Sequence, residues 1–484
     1  MGFFDKFKKA VGKKEKDSNP YFEEPSFEFD FGKVSSFELD PREDSSFDSK
    51  EEPSSNENFK YLDNLIHSGL NEIVLDSDIR LAPDERELYE EGINLDLDDL
   101  IIDGNGHTID ACSQVRIFLS TGKNIILKNI TLKNGNSRSG GAISNSGELT
   151  ISNSIFQSNQ GHNGGAISNA GDLTVNDSNF NKNTAIRREM GQGGAIYNTG
   201  MMNISNSSFH ENESDDFGGA VYLWKGSSSS IIDCEFIQNT VGAYHGKGGA
   251  ISNWGNCNIA CSLFKNNFVT GEKAGDGGAI NSYSGSLNIR QSVFEGNRAQ
   301  TSAGAIWNRS ELNIDDSTFM GNDSPKASVA YNSAEGNFKA FSCEVSSNSS
   351  LEGIITNKDS LQIHNTAFKS NSSTKNLIFN DEGGSFGIFS CEFMENTAPE
   401  AILYNGGKFC SLEKAVFDAN QSSIDIMNGS DLSLTALKIM QNGERIFNSG
   451  HILIKKSSDD FSACLKIGWV AHNQVILDRA MPLL

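Results

Sequence analysis

GGAISNAGDLTVNDSNFNKN, running from Gly164 to Asn183, contains in one pass the pattern that most of the chain repeats. It holds three short apolar segments, around Ala166 and Ile167, around Leu173 and Val175, and around Phe180, separated by Gly, Asn, Asp and Ser. None is long enough for a helix, and the residues between them favour turns over helix interiors.

Working outward, Phe-x-x-Asn or an aliphatic variant begins at Phe156, Phe180, Phe209, Phe236, Phe264, Phe294, Phe319, Val345, Phe368, Phe393, Phe417 and Ile439. Gly-Gly-Ala-Ile begins at Gly140, Gly164, Gly193, Gly248 and Gly277, with variants at Gly218 and Ala303. Successive motifs lie 22 to 30 residues apart, a period at which each repeat is one unit stacked on the next. About 24 residues make three strands plus corners, which is one coil of a parallel β-helix. Stacked coils put Phe over Phe at about 4.8 Å, close enough for aromatic stacking. The recurring Asn is expected at corners, where it tolerates left-handed backbone and its amide can bond from coil to coil. Gly-Gly supplies a sharper corner. A leucine-rich repeat has a similar period but needs a helix or 3₁₀ segment that nothing here supplies. The expected fold is all-β, a single-stranded right-handed parallel β-helix of about 13–15 coils with three strands per coil, near 70 Å long.

Gly-Gly-Ala-Ile alternating with Phe-x-x-Asn resembles the repeat of chlamydial polymorphic membrane proteins and of the adhesin-like right-handed β-helix proteins of methanogenic archaea. The segment Ile102-Asp-Gly-Asn-Gly-His-Thr-Ile-Asp110 is similar to the opening coil of the archaeal group. The resemblance spans about residues 60 to 450 and implies a β-helix with a surface or adhesive role. From Ser328 onward the Gly-Gly pair is lost.

With 40 Lys and Arg against 63 Asp and Glu, the net charge of −23 repels nucleic acid. A length of 484 residues fits one solenoid, because solenoids grow by adding coils. Residues 1–58 read as a disordered tail, basic over 1–20 and acidic and Ser/Phe-rich over 21–58. The β-helix takes 59–484, with an N-terminal cap over 59–99 and a C-terminal cap over 455–484. Phe3, Phe4, Phe7 and Val11 share a helical face among lysines, so a weak membrane contact through residues 1–14 stands beside a solvated basic tail. Three Ser-Phe-acid triplets, starting at Ser26, Ser36 and Ser46, stand either as partner-docking motifs or as unselected composition. No secretory signal or transmembrane run is visible, which makes the cytoplasm the default location, while the resemblance points to the cell surface. The eight cysteines form neither a disulfide nor a metal pattern.

No catalytic, cofactor or metal constellation stands out. The best acid pair, Asp315-Asp316, falls where other coils have Asn153, Asp177, Asn206 and Asn365, which makes it a repeat corner. Asp215-Asp216, Glu272 and Asp276 fall in loops with no lyase or hydrolase motif around them. Side chains alternate along a strand, so the residue after the inward Ile of Gly-Gly-Ala-Ile points outward. That column and the one two places on supply Tyr197, Tyr222, Trp224, Trp254, Tyr283 and Trp307, the candidate ligand-binding strip. Arg187, Arg188, Tyr244, His245 and Lys273 lie on the insertions beside it. Aromatic faces flanked by polar groups suit sugar rings; the alternative is a satellite cluster packed under its loops. The expected function is a non-enzymatic, adhesin-like, monomeric protein that binds an extended glycan or a cell-surface partner. A carbohydrate-active enzyme on the same face is the runner-up, and an intracellular scaffold recruiting a partner through its tail is the third reading.

Overall fold

The structure, a computed structural model, describes residues 57–186, 191–242, 245–271, 275–439, 446–455 and 475–477. Nearly all of the tail, most of the C-terminal cap, Glu272 and the loop residues Arg187, Arg188, Tyr244 and Lys273 lie outside them.

The coil around Phe180 shows how the repeat folds. Asp172–Asn176 is a strand with Leu173 and Val175 inward. Asp177, at φ +50°, turns the corner. Ser178 is buried there and donates its hydroxyl to Asn176 O at 2.7 Å. Asn179–Asn181 then places Phe180 in the core. After a second corner come Thr184–Ala185 and, past Gly193-Gly194, Ile196–Asn198. Each strand pairs in register and in parallel with its counterpart one coil on, as in Leu173 with Met202, Phe180 with Phe209 and Ile167 with Ile196. Three long sheets of 17, 15 and 15 strands result. The fold is thus the expected parallel β-solenoid, with one addition: two-residue strands such as Thr184–Ala185 form a fourth sheet of nine strands over the middle coils.

The core is a set of columns. Phe156, Phe180, Phe209, Phe236, Phe264, Phe294 and Phe319 are fully buried and stack with centroids 4.2 to 4.9 Å apart. Cys234, Cys343 and Cys391 take the buried place of Ser154 and Ser178, and each thiol sits against the carbonyl two residues earlier as the serine hydroxyls do. Gly193 adopts φ +68°, and a Cβ there would lie 2.1 Å from Ile196 O. A Cβ on Gly194 would lie 2.1 Å from Gly219 O of the next coil. The first glycine therefore makes the turn and the second lets the coils approach.

One expectation is corrected. The left-handed residue at the aromatic corner is not the Asn of Phe-x-x-Asn but the residue before it, such as Lys182, Glu211 or Gln238, with φ between +51° and +55°. The Asn itself is buried. Its amide donates to the Asn of the next coil and to the carbonyl of the preceding coil's aromatic, as Asn183 does to Asn212 and to Phe156 at 3.0 Å each.

The helix Phe59–Ile66 buries Phe59, Leu62 and Ile66. Asn58 caps it by accepting the Tyr61 N–H, and buried Glu85 accepts from the Phe59, Lys60 and Ala82 N–H groups. The strand Glu72–Val74 already pairs with Ile101–Asp103.

Candidate functional site

The six aromatic residues singled out above all lie on one lateral face. The strand register sets Ser168, Tyr197, Tyr222, Ser252, Asn281, Trp307 and Tyr331 in one outward column. Two places along the chain, Trp224, Trp254, Tyr283 and Arg309 form the next column, since Leu223 pairs with Asn253, Asn253 with Ser282 and Ser282 with Asn308. On the other flank, just before Gly-Gly, parallel bridges align Gln192, Phe217, Lys247, Asp276 and Ser302.

The three columns lean together. Tyr197 stacks on Tyr222 at 5.6 Å, and Trp254 stacks on Tyr283 at 4.1 Å. Phe217 reaches across to Tyr222 at 5.7 Å and meets the Trp254 ring edge-on at 6.1 Å. The Arg309 guanidinium lies 4.8 Å from the Tyr283 ring and donates to its hydroxyl, and it also pairs with Glu335. Lys247 and Asp276, both buried, form an ion pair, and the Lys247 ammonium stands 5.9 Å from the Trp307 ring.

Exposure divides the strip. Tyr222 is 1% exposed and is sealed beneath Phe217, Tyr197, Trp224 and Trp254, so it is packing and not a surface contact. Tyr197, Trp224, Trp254, Tyr283 and Trp307 are half-buried. Burial pushes the Tyr197 phenol up to about 12, and burial together with neighbouring Tyr197 pushes Tyr222 well above its ordinary value. Both phenols therefore stay neutral hydrogen-bonding groups at physiological pH. The expected row of separate flat faces is replaced by a continuous cluster in which Trp254 and Tyr283 cover each other's faces. Trp224 stacks on no other ring among the described residues and meets Tyr222 only at a 59° tilt. The face thus offers one open indole, ring edges, a guanidinium and hydroxyls.

Phe217 and the Lys247–Asp276 pair were not legible as part of this site, because residues before Gly-Gly read as loop. Their signal was the fixed offset of five residues from the outward column. A second feature escaped the sequence entirely: a cleft of about 520 Å³ on the outer face of the long sheet, lined by Asn258, Asn288, Asn313, Arg290 and Asp315. Of the acids weighed for catalysis, Asp315 lines this cleft next to its strand partner Arg290, a guanidinium that stays protonated and cannot serve as a base. Asp316 is a left-handed corner at φ +45°, as are Asn153, Asp177, Asn206 and Asn365, and Asp276 is taken up by Lys247. Among the described residues no three His, Cys, Asp or Glu side chains are grouped as a metal site would require. No helix among them is long and apolar enough to cross a membrane.

Two family models match the sequence. One, described as a putative pectate lyase-like adhesive domain, matches residues 60–187. The other is the chlamydial polymorphic membrane protein repeat, which matches residues 177–199. No curated protein matches the chain. The matches and the solenoid agree with the resemblance read from the motifs, that of an adhesin-like β-helix repeat protein.

Proposed function

We propose that this chain, adhesin-like in its repeats and its fold, works by binding and not by catalysis, and that its ligand is an extended glycan laid along the face of Tyr197, Trp224, Trp254, Tyr283 and Trp307. The observation that carries the reading is the half-exposure of five aromatic rings on one face of a rigid rod, interleaved with Arg309 and polar ring edges. Apolar surface that holds a few convergent hydrogen-bonding groups is the usual make-up of a ligand site. Coils spaced at about 4.8 Å are commensurate with the advance of an extended sugar chain. Single contacts are weak, so affinity comes from several of them or from many copies on one surface. Against catalysis stands that, among the described residues, the acid and the base beside the face, Asp276 and Lys247, are taken up by each other.

The test is a glycan array probed with the purified chain and with Trp224→Ala, whose ring stacks on no other among the described residues. Binding that disappears in the variant while the thermal transition stays put supports the reading. Absence of any glycan signal, or binding indifferent to Trp224, overturns it.

A further inference from the structure

The cleft of about 520 Å³ opens on the long sheet, a different sheet from the one that carries the aromatic strip. A row of carboxamides runs through it: Asn313 donates to Asn288, and Asn288 to Asn258, at 2.9 Å each. Two places along each strand, the register sets Ala260, Arg290, Asp315, Phe341, His364 and Phe389 in one outward column, one per coil. The last three stack, Phe341 on His364 at 4.8 Å and His364 on Phe389 at 4.5 Å, each pair 14° from parallel. A Cβ on Gly387 would lie 2.5 Å from Phe389 Cε2, so that ring lies across its own strand above Gly387. The rings stacked on it lean the same way.

This stack ends at the cleft. Phe341 is 36% exposed and lines it, so the ring face turned away from His364 opens toward the coil of Asp315, where a short carboxylate stands in place of a ring. One coil further, exposed Arg290 stands in the same column. Opposite charges at neighbouring positions of a sheet ordinarily pair. Yet neither the Arg290 guanidinium nor the Asp315 carboxylate has an ion-pair or hydrogen-bond partner among the described residues, and the side-chain oxygen of Asn313 accepts from none of them. Two coil spacings, about 9.6 Å, separate Arg290 from Phe341. That gap holds one planar ring between a phenyl face and a guanidinium at stacking distance on both sides.

We propose that the cleft is a second binding site, independent of the aromatic strip, and that it takes an uncharged planar heteroaromatic ring of the guanine type as the next member of the stack. The ring lies on Phe341 in the coil of Asp315, with one edge toward the Asp315 carboxylate and the Asn313 oxygen. Both are acceptors, so that edge must carry donors. Guanine sets a ring N–H beside an exocyclic amine, two adjacent donors for the two carboxylate oxygens. A cationic ring is disfavoured by Arg290 above it. A nucleic acid polymer is disfavoured by the net charge of −23, which leaves a free nucleoside or base.

Titration calorimetry of the full chain with guanosine, with inosine, which lacks the exocyclic amine, and with a neutral hexose oligosaccharide tests this on the wild type, Asp315→Asn, Phe341→Ala and Trp224→Ala. The expected result is guanosine binding that weakens at least tenfold, about 1.4 kcal/mol, in Asp315→Asn and in Phe341→Ala and is unchanged in Trp224→Ala, with inosine at least tenfold weaker than guanosine. Asp315 and Phe341 are exposed, so the thermal transition should hold in both variants. If Phe341→Ala lowers it, Asp315→Asn carries the comparison. A wild type that does not bind guanosine, guanosine binding that Asp315→Asn retains, or inosine bound equally well overturns the proposal. Guanosine binding lost in Trp224→Ala places the ring on the aromatic strip and overturns the cleft. An oligosaccharide bound in place of guanosine and lost in Phe341→Ala makes the cleft a sugar site and overturns the proposal as well.

Discussion

Asn267 donates its side-chain amide to the side-chain oxygen of Asn297 at 2.9 Å, and its own oxygen accepts the Asn239 amide at 3.0 Å. The same contact links Asn159 to Asn420 through every intervening coil. Asn267 also receives the backbone N–H of Asn239 and donates to Phe236 O. Asn267→Ala therefore strips partners from four buried groups. Equilibrium unfolding should show a loss of at least about 3 kcal/mol; a change below about 1 kcal/mol would show that water replaces the rung.

Phe264 is fully buried between Phe236 at 4.9 Å and Phe294 at 4.7 Å. Phe264→Ala should cost about 3 to 5 kcal/mol, because the stacked neighbours cannot collapse into the space. The same denaturation experiment reads it.

Tyr222 and Trp224, two places apart on the same coil, separate packing from surface. Tyr222→Ala should destabilise by several kcal/mol, as large buried aromatics do, whereas Trp224→Ala should stay within about 1 kcal/mol. Equal losses in the two variants would mean that Trp224 is packing as well, and the glycan face would lose its open ring.

His364 lies between Phe341 at 4.8 Å and Phe389 at 4.5 Å, and desolvation by burial holds its imidazole below the ordinary 6.5. The unfolded chain then binds the proton more readily than the folded one, so this residue's contribution is intact above pH 6.5 and is lost as pH falls through the lowered folded value. The wild type should lose more stability than His364→Phe between pH 7 and pH 5. Parallel pH profiles would rule this out.

The repeat was legible because one inward residue per strand recurs at a fixed offset: Phe180, Leu173 and Ile167 each announce a column. The asparagine ladder was visible for the same reason. The left-handed corner was not, since Lys182, Glu211 and Gln238 share a backbone conformation and no chemistry. The strand Thr184–Ala185 is too short to show alternation. The burial of Tyr222 depends on Phe217, which reaches it from a segment that reads as loop. Outwardness follows from strand parity, but exposure depends on what the neighbouring columns do.

That hidden corner offers a stabilising change. Ala419 holds φ +51° where the coils of Phe294 and Phe319 have Gly296 and Gly321, both at +64°. An L-residue pays about 1 to 2 kcal/mol in this region, and glycine avoids it at a smaller entropic cost. Ala419→Gly should raise stability by roughly 0.5 kcal/mol or more, seen as a higher denaturation midpoint. A lower midpoint would mean that the corner carries no strain.

Every strand-to-strand and amide-to-amide bond described here points along the rod, from one coil to the next. Tension applied along that axis therefore loads the coils in series, and a terminal coil can peel away before its neighbours feel the strain. Pulled from its ends in a single-molecule instrument, the rod should lengthen in a sawtooth. Each step should release one repeat of 22 to 30 residues, roughly 70 to 110 Å of chain. A rod made this way gives under load in instalments, dissipating work at each one, and its resistance is set by its outermost coils and not by its strongest.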